Sequence, residues 1–371
     1  MLAHVIRQEM LVLAAQAAKA VPKSSGAQAD AIKGIHMEAD SQRSMLTLTA
    51  TNYEVAIRTS MAASVEENGS CVVSASLFPA VIAKLPEETV DLEVQENRRL
   101  TIRSGNACFH LEVLPGDRYP MPELPFPDDT LPVSGLCSLA RNTLFAAAED
   151  AAQFPQLKCI QLLIGPKGLK AAASNGFCVM EADGDKSCRG HSELLLPAHS
   201  LKVLASISTD SDVYEMGLAG KSLVFWSGTL LFSARLVEGR FPEVGQILSQ
   251  FKGQYSVHLD AEDLRRAIET VAAVAEQNAR IELAFGEHEI TLSAESAYGK
   301  SSAPVKALVL SAPGKPFYYN YKKLLEYLSL TKGSITLEFD PSGLLAIRPG
   351  SMRYLQSPMR PPASAASGKA A

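Results

Sequence analysis

The sequence predicts an α+β fold made of three tandem copies of one domain, because landmark residues recur about every 122 positions along its 371 residues. A unit of this length is a whole domain rather than the short module of a solenoid. The first landmark is a Gly-containing pair that ends an alternating apolar segment, at Ser104-Gly105, Ser227-Gly228 and Pro349-Gly350. The second is a basic-aromatic-Pro step, at Arg118-Tyr119-Pro120 and Arg240-Phe241-Pro242. The third is a polar turn, at Thr51-Asn52-Tyr53 and Ser174-Asn175-Gly176.

The repeat and the total length predict domains at 1–125, 126–250 and 251–360, followed by a tail at 361–371. The tail contains only Pro, Ala, Ser, Gly and one Lys. This composition cannot bury apolar surface, and we expect the tail to be disordered.

Each copy shows the order helix, strands, helix, strands. Apolar residues at helical spacing predict helices at 8–20, 77–85, 138–152, 198–207, 261–275 and 321–330. Apolar and polar residues alternate in the segments between them, which predicts antiparallel sheets that are buried on one face and packed by helices there. The predicted strands are 35–39, 45–50, 53–60, 90–94, 100–102, 108–113, 161–164, 169–173, 177–182, 213–216, 223–226, 231–236, 281–285, 290–294, 335–339, 344–347 and 352–355.

Composition excludes several classes of protein. A hydrophobic content of 47% with 20% charged residues is typical of a globular chain. The net charge of −5 excludes a simple polycation that binds nucleic acid through overall charge. The N-terminus has no basic region followed by an apolar run, and no apolar stretch approaches the ~20 residues that span a bilayer. We therefore expect a soluble, cytoplasmic protein.

No motif predicts catalysis, a metal or a cofactor. The six cysteines include no C-x-x-C pair, so free and mostly buried thiols are expected rather than a zinc site. The sequence has no G-x-S-x-G, H-E-x-x-H, Walker or dinucleotide-binding motif, and its seven histidines do not cluster at ligand spacing. The prediction is a protein without enzymatic activity.

Four stretches, in this order and spacing, carry a resemblance to a known family. They are Ala50-Thr51-Asn52-Tyr53-Glu54; Leu100-Thr101-Ile102-Arg103-Ser104-Gly105 with Phe109 and 114–120; Glu238-Gly239-Arg240-Phe241-Pro242 with Ile247-Leu248; and Tyr354-Leu355-Gln356-Ser357-Pro358-Met359-Arg360. Together they resemble the bacterial DNA polymerase sliding clamp, the beta subunit of the replicative polymerase III holoenzyme. The resemblance spans residues 1–360.

The resemblance implies a head-to-tail homodimer closed into a ring of six similar domains, with helices around the hole and duplex DNA inside it. Such a ring needs a mildly basic lining rather than base readout. The predicted helices, counted together with Arg7 directly before the first of them, carry nine basic and seven acidic residues, a net +2 in a chain of −5. One of the nine is Lys19, and the eight expected to face DNA are Arg7, Lys84, Arg141, Lys202, Arg265, Arg266, Lys322 and Lys323.

The family also implies a pocket that binds short linear motifs of the replicative polymerase, the clamp loader, and repair and translesion proteins. Apolar walls with a flexible Met suit several peptides of one pattern. By motif match the walls are Leu157, Ser174, Gly176, Phe177, Pro242, Ile247, Leu355, Pro358, Met359 and Arg360, and the dimer interface contains Phe109, Leu111 and Val274.

Three departures from the family pattern leave alternatives open. Gly176-Phe177-Cys178 stands where the family has a Gly-His-Arg-like run, Ser357 replaces a large apolar residue, and eleven residues follow Arg360. A divergent clamp-fold adaptor that binds peptides without encircling DNA is the first alternative to a processivity clamp. An enzyme assembled from distant residues of the repeated domains is the second.

Overall fold

The computed structural model describes residues 1–22, 30–95, 98–150, 153–275 and 278–362, which form two compact units. The first unit contains Met1–Cys137 and His199–Leu236, and the second contains Ser138–Ala198 and the chain from Val237 onward. The domain boundaries at 125, 250 and 360 stay predictions.

The described residues contain short helices and many antiparallel strands. The helices are α1 (Arg7–Ala18), α2 (Leu77–Ile82), α3 (Leu136–Thr143), α4 (Ala198–Ser206), α5 (Val244–Gln250), α6 (Ala261–Ala272) and α7 (Tyr321–Leu328). The strands are β1 (Leu2–Ile6), β2 (Gly34–Asp40), β3 (Met45–Thr51), β4 (Val55–Ala62), β5 (Ser64–Glu67), β6 (Gly69–Ser74), β7 (Thr89–Gln95), β8 (Arg99–Ser104), β9 (Ala107–Glu112), β10 (Leu114–Pro115), β11 (Leu131–Val133), β12 (Cys159–Gly165), β13 (Gly168–Ser174), β14 (Cys178–Asp183), β15 (Ser192–Pro197), β16 (Tyr214–Ala219), β17 (Ser222–Ser227), β18 (Leu230–Arg235), β19 (Tyr255–Asp260), β20 (Arg280–Phe285), β21 (Glu289–Ser296), β22 (Gly299–Lys306), β23 (Leu308–Ser311), β24 (Phe317–Asn320), β25 (Ser334–Phe339), β26 (Leu345–Ile347) and β27 (Met352–Gln356).

The first unit has two antiparallel sheets. One has the strand order β5-β1-β7-β8-β9, and the other has the order β10-β6-β2-β3-β4-β18-β17-β16-β11. Helix α1 packs on β3 and β4 and beside α2. Its buried side chains, Met10, Leu13, Ala14 and Ala17, recur at the helical spacing that predicted it.

The second unit repeats this plan. Its nine-stranded sheet has the order β15-β12-β13-β14-β27-β26-β25-β19-β23, and its four-stranded sheet has the order β22-β21-β20-β24. Helix α6 packs on β22 and beside α7. The Asp260 side chain caps α6 by accepting hydrogen bonds from the amides of Glu262 and Asp263.

The repeat predicted from the sequence is visible in three hairpins. Gly105, Gly228 and Gly350 have φ values of 55°, 54° and 54°, and they turn β8 into β9, β17 into β18 and β26 into β27. This left-handed conformation favours glycine because a Cβ atom clashes there. The recurring Ser-Gly or Pro-Gly pair is therefore the signature of one hairpin used three times.

The predicted helix at 138–152 is wrong in its second half, because α3 ends at Thr143 and a 3₁₀ turn covers Leu144–Ala146. The Thr143 hydroxyl donates to the Leu139 carbonyl at 2.7 Å, and the Ala148 amide donates to the Leu157 carbonyl at 2.9 Å. These bonds replace the helical pattern, so the helix propensity of the alanine-rich run is overridden by local and tertiary contacts.

The expectation of sheets buried on one face holds for the small sheets and fails for the centre of the large ones. Strand β21 alternates as predicted, whereas every residue of β14 from Cys178 to Ala182 is buried. The large sheet of the second unit is covered on one face by the segment containing α5 and on the other by side chains such as Tyr327. Strands covered on both faces lose the polar alternation.

Several elements were not predicted. They are the edge and connecting strands β1, β5, β6, β10, β11, β15, β19, β22, β23 and β24, and helix α5. Most are short or polar, so their pairing depends on neighbours distant in sequence. The predicted disordered tail lies outside the described residues, except for Pro361 and Pro362.

An ion-pair cluster joins two copies of the repeat in the second unit, where β14 pairs with β27 and Glu181 lies opposite Arg353. The Arg353 guanidinium donates to Glu181 at 2.6 Å and to Asp183 at 3.1 Å, and the Lys170 ammonium lies 3.4 Å from Glu181. Glu181 is only 4% exposed, so these cations take the place of water around its carboxylate.

We expect Arg353→Ala to lower the free energy of unfolding by about 2 kcal/mol, because it removes the closer of two cations from a buried carboxylate. Arg348→Ala breaks an ion pair with Glu338 in which both side chains are about a third exposed or more, and should cost less than about 1 kcal/mol. Urea denaturation followed by circular dichroism measures both. Equal losses for the two variants would contradict a special role of the Glu181 pair.

Candidate functional site

A tight turn between β13 and β14 organises the most distinctive surface of the second unit. The Ser174 hydroxyl donates to the Cys178 carbonyl at 2.9 Å and accepts from the Gly176 amide at 3.1 Å. The Asn175 carboxamide oxygen accepts from the amides of Phe177 and Cys178, both at 2.9 Å. Gly176 has a φ of 87°, which suits glycine. The turn leaves the Phe177 side chain 76% exposed.

The first unit contains the same turn between β3 and β4. The Thr51 hydroxyl donates to the Val55 carbonyl at 2.9 Å and accepts from the Tyr53 amide at 3.0 Å. Asn52 accepts from the Val55 amide at 2.7 Å. The polar triplets that revealed the repeat therefore form one Asx turn twice, as short polar side chains do when they bond to nearby amides.

An apolar cluster lies beside the turn of the second unit. It combines residues of six neighbouring strands with the segment that contains α5, and Leu157 packs against its edge. Val244 and Leu248 face the cluster from α5, whereas Ile247 on the same helix is 37% exposed. The buried members are Cys159, Ala172, Val179, Leu195, Phe241, Val244, Leu248, Phe251, Ala346 and Leu355.

The segment after β27 passes beside the turn. The Ser357 amide donates to the Phe177 carbonyl at 2.8 Å, and the Met359 amide donates to the Tyr318 carbonyl at 2.7 Å. The Arg360 carbonyl accepts from the Arg280 guanidinium at 3.5 Å. These bonds place Pro358, Met359 and Arg360 between the turn and β24.

The predicted pocket residues thus collect around one region of the second unit. Gly176, Phe177, Ile247 and Arg360 are exposed, and Pro242, Pro358 and Met359 are partly exposed; these can contact a ligand. Ser174 and Leu355 are buried, at 3% and 2% exposure, so they support the site from below, and Leu157 packs on the cluster. The arrangement presents apolar side chains and a guanidinium, which suits a short apolar peptide with a polar end.

Sequence reasoning missed three residues that build this region: Val179, Phe241 and Leu248. Val179 pairs with both Ser174 and Leu355, so the strand register would have found it. Phe241 is the aromatic residue of the repeated basic-aromatic-Pro step, and its counterpart Tyr119 packs on the first unit in the same way.

Cys178 occupies a position where the resemblance leads one to expect an Arg. Burial raises the pKa of this thiol to about 12, so it is a neutral thiol at physiological pH. Its side chain lies on the opposite face of β14 from Val179, because successive residues of a strand alternate. The change therefore removes a positive charge from the turn without adding a reactive group.

The basic residues expected to face DNA differ in their exposure and in whether their charged groups are bonded to other residues. In the first unit Lys84 and Lys202 are exposed, and Arg7 is half-buried with its Nε lacking a hydrogen-bond partner. In the second unit Lys322 is exposed, whereas Lys323 donates to the Phe145 carbonyl at 2.8 Å and to Glu326 at 3.0 Å.

The remaining predicted DNA-facing residues lie on α3 and α6. Arg141 is exposed on α3, Arg265 lies 3.9 Å from Glu269, and Arg266 lies 3.0 Å from Asp263. Lys84 lies two residues beyond α2 rather than within it. The helices of the described chain nevertheless keep the predicted balance of +2, with seven basic and five acidic side chains.

The predicted interface residues lie at two open sheet edges. Phe109 and Leu111 belong to β9, the last strand of the five-stranded sheet of the first unit. Val274 follows α6 in the second unit and lines a cavity of about 490 Å³ with Asn278 and Tyr298. This cavity adjoins β22, whose Ser301 hydroxyl donates to the Val271 carbonyl at 3.1 Å.

Among the described residues, no group of three or more His, Cys, Asp or Glu side chains is placed to hold a metal ion. No helix of the described chain has the length and apolarity to cross a membrane.

Comparison with known proteins finds similarity to one family. The sequence pattern of the DNA polymerase III beta subunit, N-terminal domain, matches residues 1–125. The beta sliding clamp of Streptomyces coelicolor is 27% identical over 378 aligned positions, covering 96% of this chain and 99% of that protein. The chain is similar to bacterial sliding clamps over nearly its whole length.

Solved clamp structures show the same fold. The DNA polymerase sliding clamp of Bacillus subtilis aligns with a TM-score of 0.87 at 22% identity, covering 97% of this chain and 99% of that one. A Pseudomonas aeruginosa DnaN sliding clamp bound to griselimycin aligns with a TM-score of 0.86 at 19% identity, covering 97% of this chain and 100% of that one. The three-copy α+β fold of the clamp is therefore confirmed for this chain.

We expect Asn175→Ala to open the turn between β13 and β14, because the Asn175 carboxamide oxygen accepts hydrogen bonds from two amides. Hydrogen exchange at Phe177 and Cys178 should become roughly tenfold faster, the equivalent of one or two lost hydrogen bonds. Asn175→Asp keeps the acceptor and should exchange at nearly the original rate. Unchanged exchange in Asn175→Ala would show that the backbone alone sets the turn.

Proposed function

We propose that this chain is a DNA sliding clamp that encircles duplex DNA as a homodimer and holds the replicative polymerase on its template. The observation that carries the proposal is the repeated pairing of strands between copies of the repeat. β18 pairs with β4 in the first unit and β27 pairs with β14 in the second. The corresponding strands β9 and β22 are both sheet edges in the described chain.

Two complementary free edges on one chain fit a head-to-tail dimer, in which β9 of each chain pairs with β22 of the other. Such a contact consumes edges that would otherwise invite aggregation. Two chains of three copies then close a ring of six. Phe109, Leu111 and Val274 would lie at this interface, as the resemblance implies.

The two strand pairings between copies, or seams, are β4 with β18 and β14 with β27. They also define the register of the proposed third seam, between β9 and β22 of the partner chain. Phe232 lies opposite Ile57, and Tyr354 lies opposite Met180. Transferring both pairs through the repeat predicts Phe109 opposite Ser301 of the partner chain, and Cys108 opposite Ser302. The same register follows from either seam, which supports the proposal.

A clamp of this kind holds DNA by topology, so a small positive excess on its helices is enough. The free ammonium groups of Lys84, Lys202 and Lys322 can contact phosphates of any sequence. Less positive charge is available to DNA from Arg265, Arg266 and Lys323, because their charged groups already have partners within the chain. The sequence-independent partner is duplex DNA in the cytoplasm.

The surface around Phe177, Ile247 and Met359 would dock linear motifs of the polymerase, the clamp loader, and repair and translesion proteins. The griselimycin-bound relative supports a ligand-binding surface in this fold. We assign the chain no catalytic activity of its own. The adaptor alternative is not favoured, because the ring-forming edges β9 and β22 are retained.

Ring closure is tested by a cross-link between partner chains. Ser302→Cys places a thiol opposite the exposed native Cys108, and directly opposite residues have Cβ atoms about 5 Å apart. Mild oxidation should give a covalent dimer on a denaturing gel. Ser301→Cys, whose side chain lies on the other face of β22, should give little, and Cys108→Ser should abolish the product. Efficient cross-linking of Ser301→Cys instead would shift the register by one residue.

Encirclement is tested by retention on DNA after loading. Lys322→Glu reverses a free charge and should shorten the lifetime of the clamp on nicked circular DNA roughly threefold at moderate salt. Lys323→Glu should shorten it less, because its ammonium is already bonded internally. Gel filtration verifies that both variants stay dimeric. Equal retention on circular and linear DNA for the unmodified protein would contradict encirclement.

A further inference from the structure

Two exposed aromatic side chains contact each other on the nine-stranded sheet of the first unit. Phe126 is 60% exposed and Trp226 is 41% exposed. Their ring centroids are 5.7 Å apart, and the ring planes are nearly perpendicular, at 88°. In such a T-shaped pair the ring that contributes its edge keeps its own faces outside the contact. The pair therefore offers an open aromatic face to a ligand.

The two rings are held in place by the residues around them. The Trp226 indole donates to a backbone carbonyl of the turn between β17 and β18 at 2.9 Å. The segment that carries Phe126 is fixed on both sides of it. Leu124 packs on buried residues of β16, β17 and β18, and Pro127 lies so close to Gly217 that a Cβ atom there would clash. A rigid aromatic surface loses little conformational entropy when it binds a partner.

Carboxylates surround the aromatic pair. Glu215 lies directly opposite Trp226 on the neighbouring strand β16, and the two side chains share one face of the sheet. Glu123, Asp128 and Asp129 are exposed on the segment that carries the phenyl ring. None of these four carboxylates has an ion pair within the part of the chain that the structure describes. They are therefore available to a cation from outside.

Basic residues are scarce in this part of the sheet. Along the row through Trp226, the first basic residue is Arg58, which lies two strands away. Lys221 lies at the turn between β16 and β17, at the other end of β17 from the indole. The three stretches that build the surface contain no Lys, Arg or His: 119–140, 203–220 and 222–234. The surface around the aromatic pair is therefore negative.

We propose that this surface, the aromatic-acidic site (Phe126, Trp226, Glu123, Asp128, Asp129 and Glu215), docks an arginine-rich segment of a partner protein. A guanidinium stacks on an aromatic face and is attracted by its π electrons. The remaining N–H groups of the guanidinium can donate to the carboxylates. Nucleic acid is disfavoured as the occupant, because its phosphates would meet the same negative charge.

The aromatic-acidic site is separate from the surfaces used in the proposed function. It lies in the first unit, whereas the docking surface around Phe177 lies in the second. It contains no residue of the edge strands β9 and β22. The two surfaces suit different ligands, because the first is negative and the second presents apolar side chains and a guanidinium.

The test uses the fluorescence of Trp226, which is the only tryptophan of the chain and so reports on this site alone. The full-length protein is titrated at low salt with a peptide of four Arg-Gly-Ser units, and with the same peptide carrying Lys or Gln in place of Arg. The variants are Phe126→Leu, which keeps the apolar bulk, and Asp128→Asn/Asp129→Asn. The control is Glu87→Gln/Glu88→Gln, which makes the same charge change on the exposed loop between α2 and β7.

We expect the arginine peptide to change the tryptophan emission saturably, the lysine peptide to bind several-fold more weakly, and the glutamine peptide not to bind. Phe126→Leu should raise the Kd of the arginine peptide about two- to fivefold, the scale of one exposed cation–π contact. Asp128→Asn/Asp129→Asn should raise it by a similar factor that shrinks at high salt. The control pair should change it less than about twofold, because its carboxylates lie outside the site.

Three results would overturn the proposal. No saturable change in emission would show that the site does not bind arginine-rich segments. Equal weakening by Asp128→Asn/Asp129→Asn and by the control would show attraction by overall charge alone. Emission that changes with protein concentration in the absence of peptide would make this surface a contact between copies of the chain. None of these results bears on ring closure or on the docking surface around Phe177, so the two proposals fail separately.

Discussion

The pairing of strands between copies of the repeat is the constraint on which this molecule depends. Each copy leaves a strand edge whose amides and carbonyls need partners. Within the chain, β18 forms these hydrogen bonds with β4, and β27 forms them with β14. Each large sheet is therefore a single hydrogen-bonded layer built from two copies. The proposed docking surface lies where β27 pairs with β14, because Val179 and Leu355 meet there. The ring proposal applies the same constraint to the remaining edges.

The side chains that cross the two seams differ although their register is the same. In the second unit Glu181 faces Arg353, and the buried carboxylate is neutralised by a cation. In the first unit Arg58 faces Leu231, with no ion pair across the seam. Backbone hydrogen bonds hold the paired strands together, so the side chains can differ between the two pairings. The same freedom explains how Phe177, Cys178 and Ser357 can depart from the family pattern while the turn beside them keeps its geometry.

Patterns that act over a few residues were read correctly from the sequence. The helical spacing of Met10, Leu13 and Ala17 predicted α1, and the recurring glycines marked three hairpins. Elements whose structure depends on contacts with distant residues were predicted less well. The run at 138–152 has helical apolar spacing, but its Ala148 amide donates to the Leu157 carbonyl instead of continuing the helix. Strand β14 is buried on both faces because α5 covers one of them. The strands of the outer edges have weak alternation, and their partners are far away in sequence.

The sequence alone determined the repeat, its period, the resemblance to sliding clamps and the types of residue at the site, because these depend on residue identity and spacing. Only the tertiary structure decided which of those residues are exposed, which are buried and which are bonded to other residues. It buried Leu355 and Ser174 beneath the proposed docking surface, exposed Phe177 and Ile247, and bonded the Lys323 ammonium to the Phe145 carbonyl while leaving Lys322 exposed. The physical reason is that exposure and pairing depend on which surfaces meet across the sheet, and those contacts join residues that are up to about 180 positions apart.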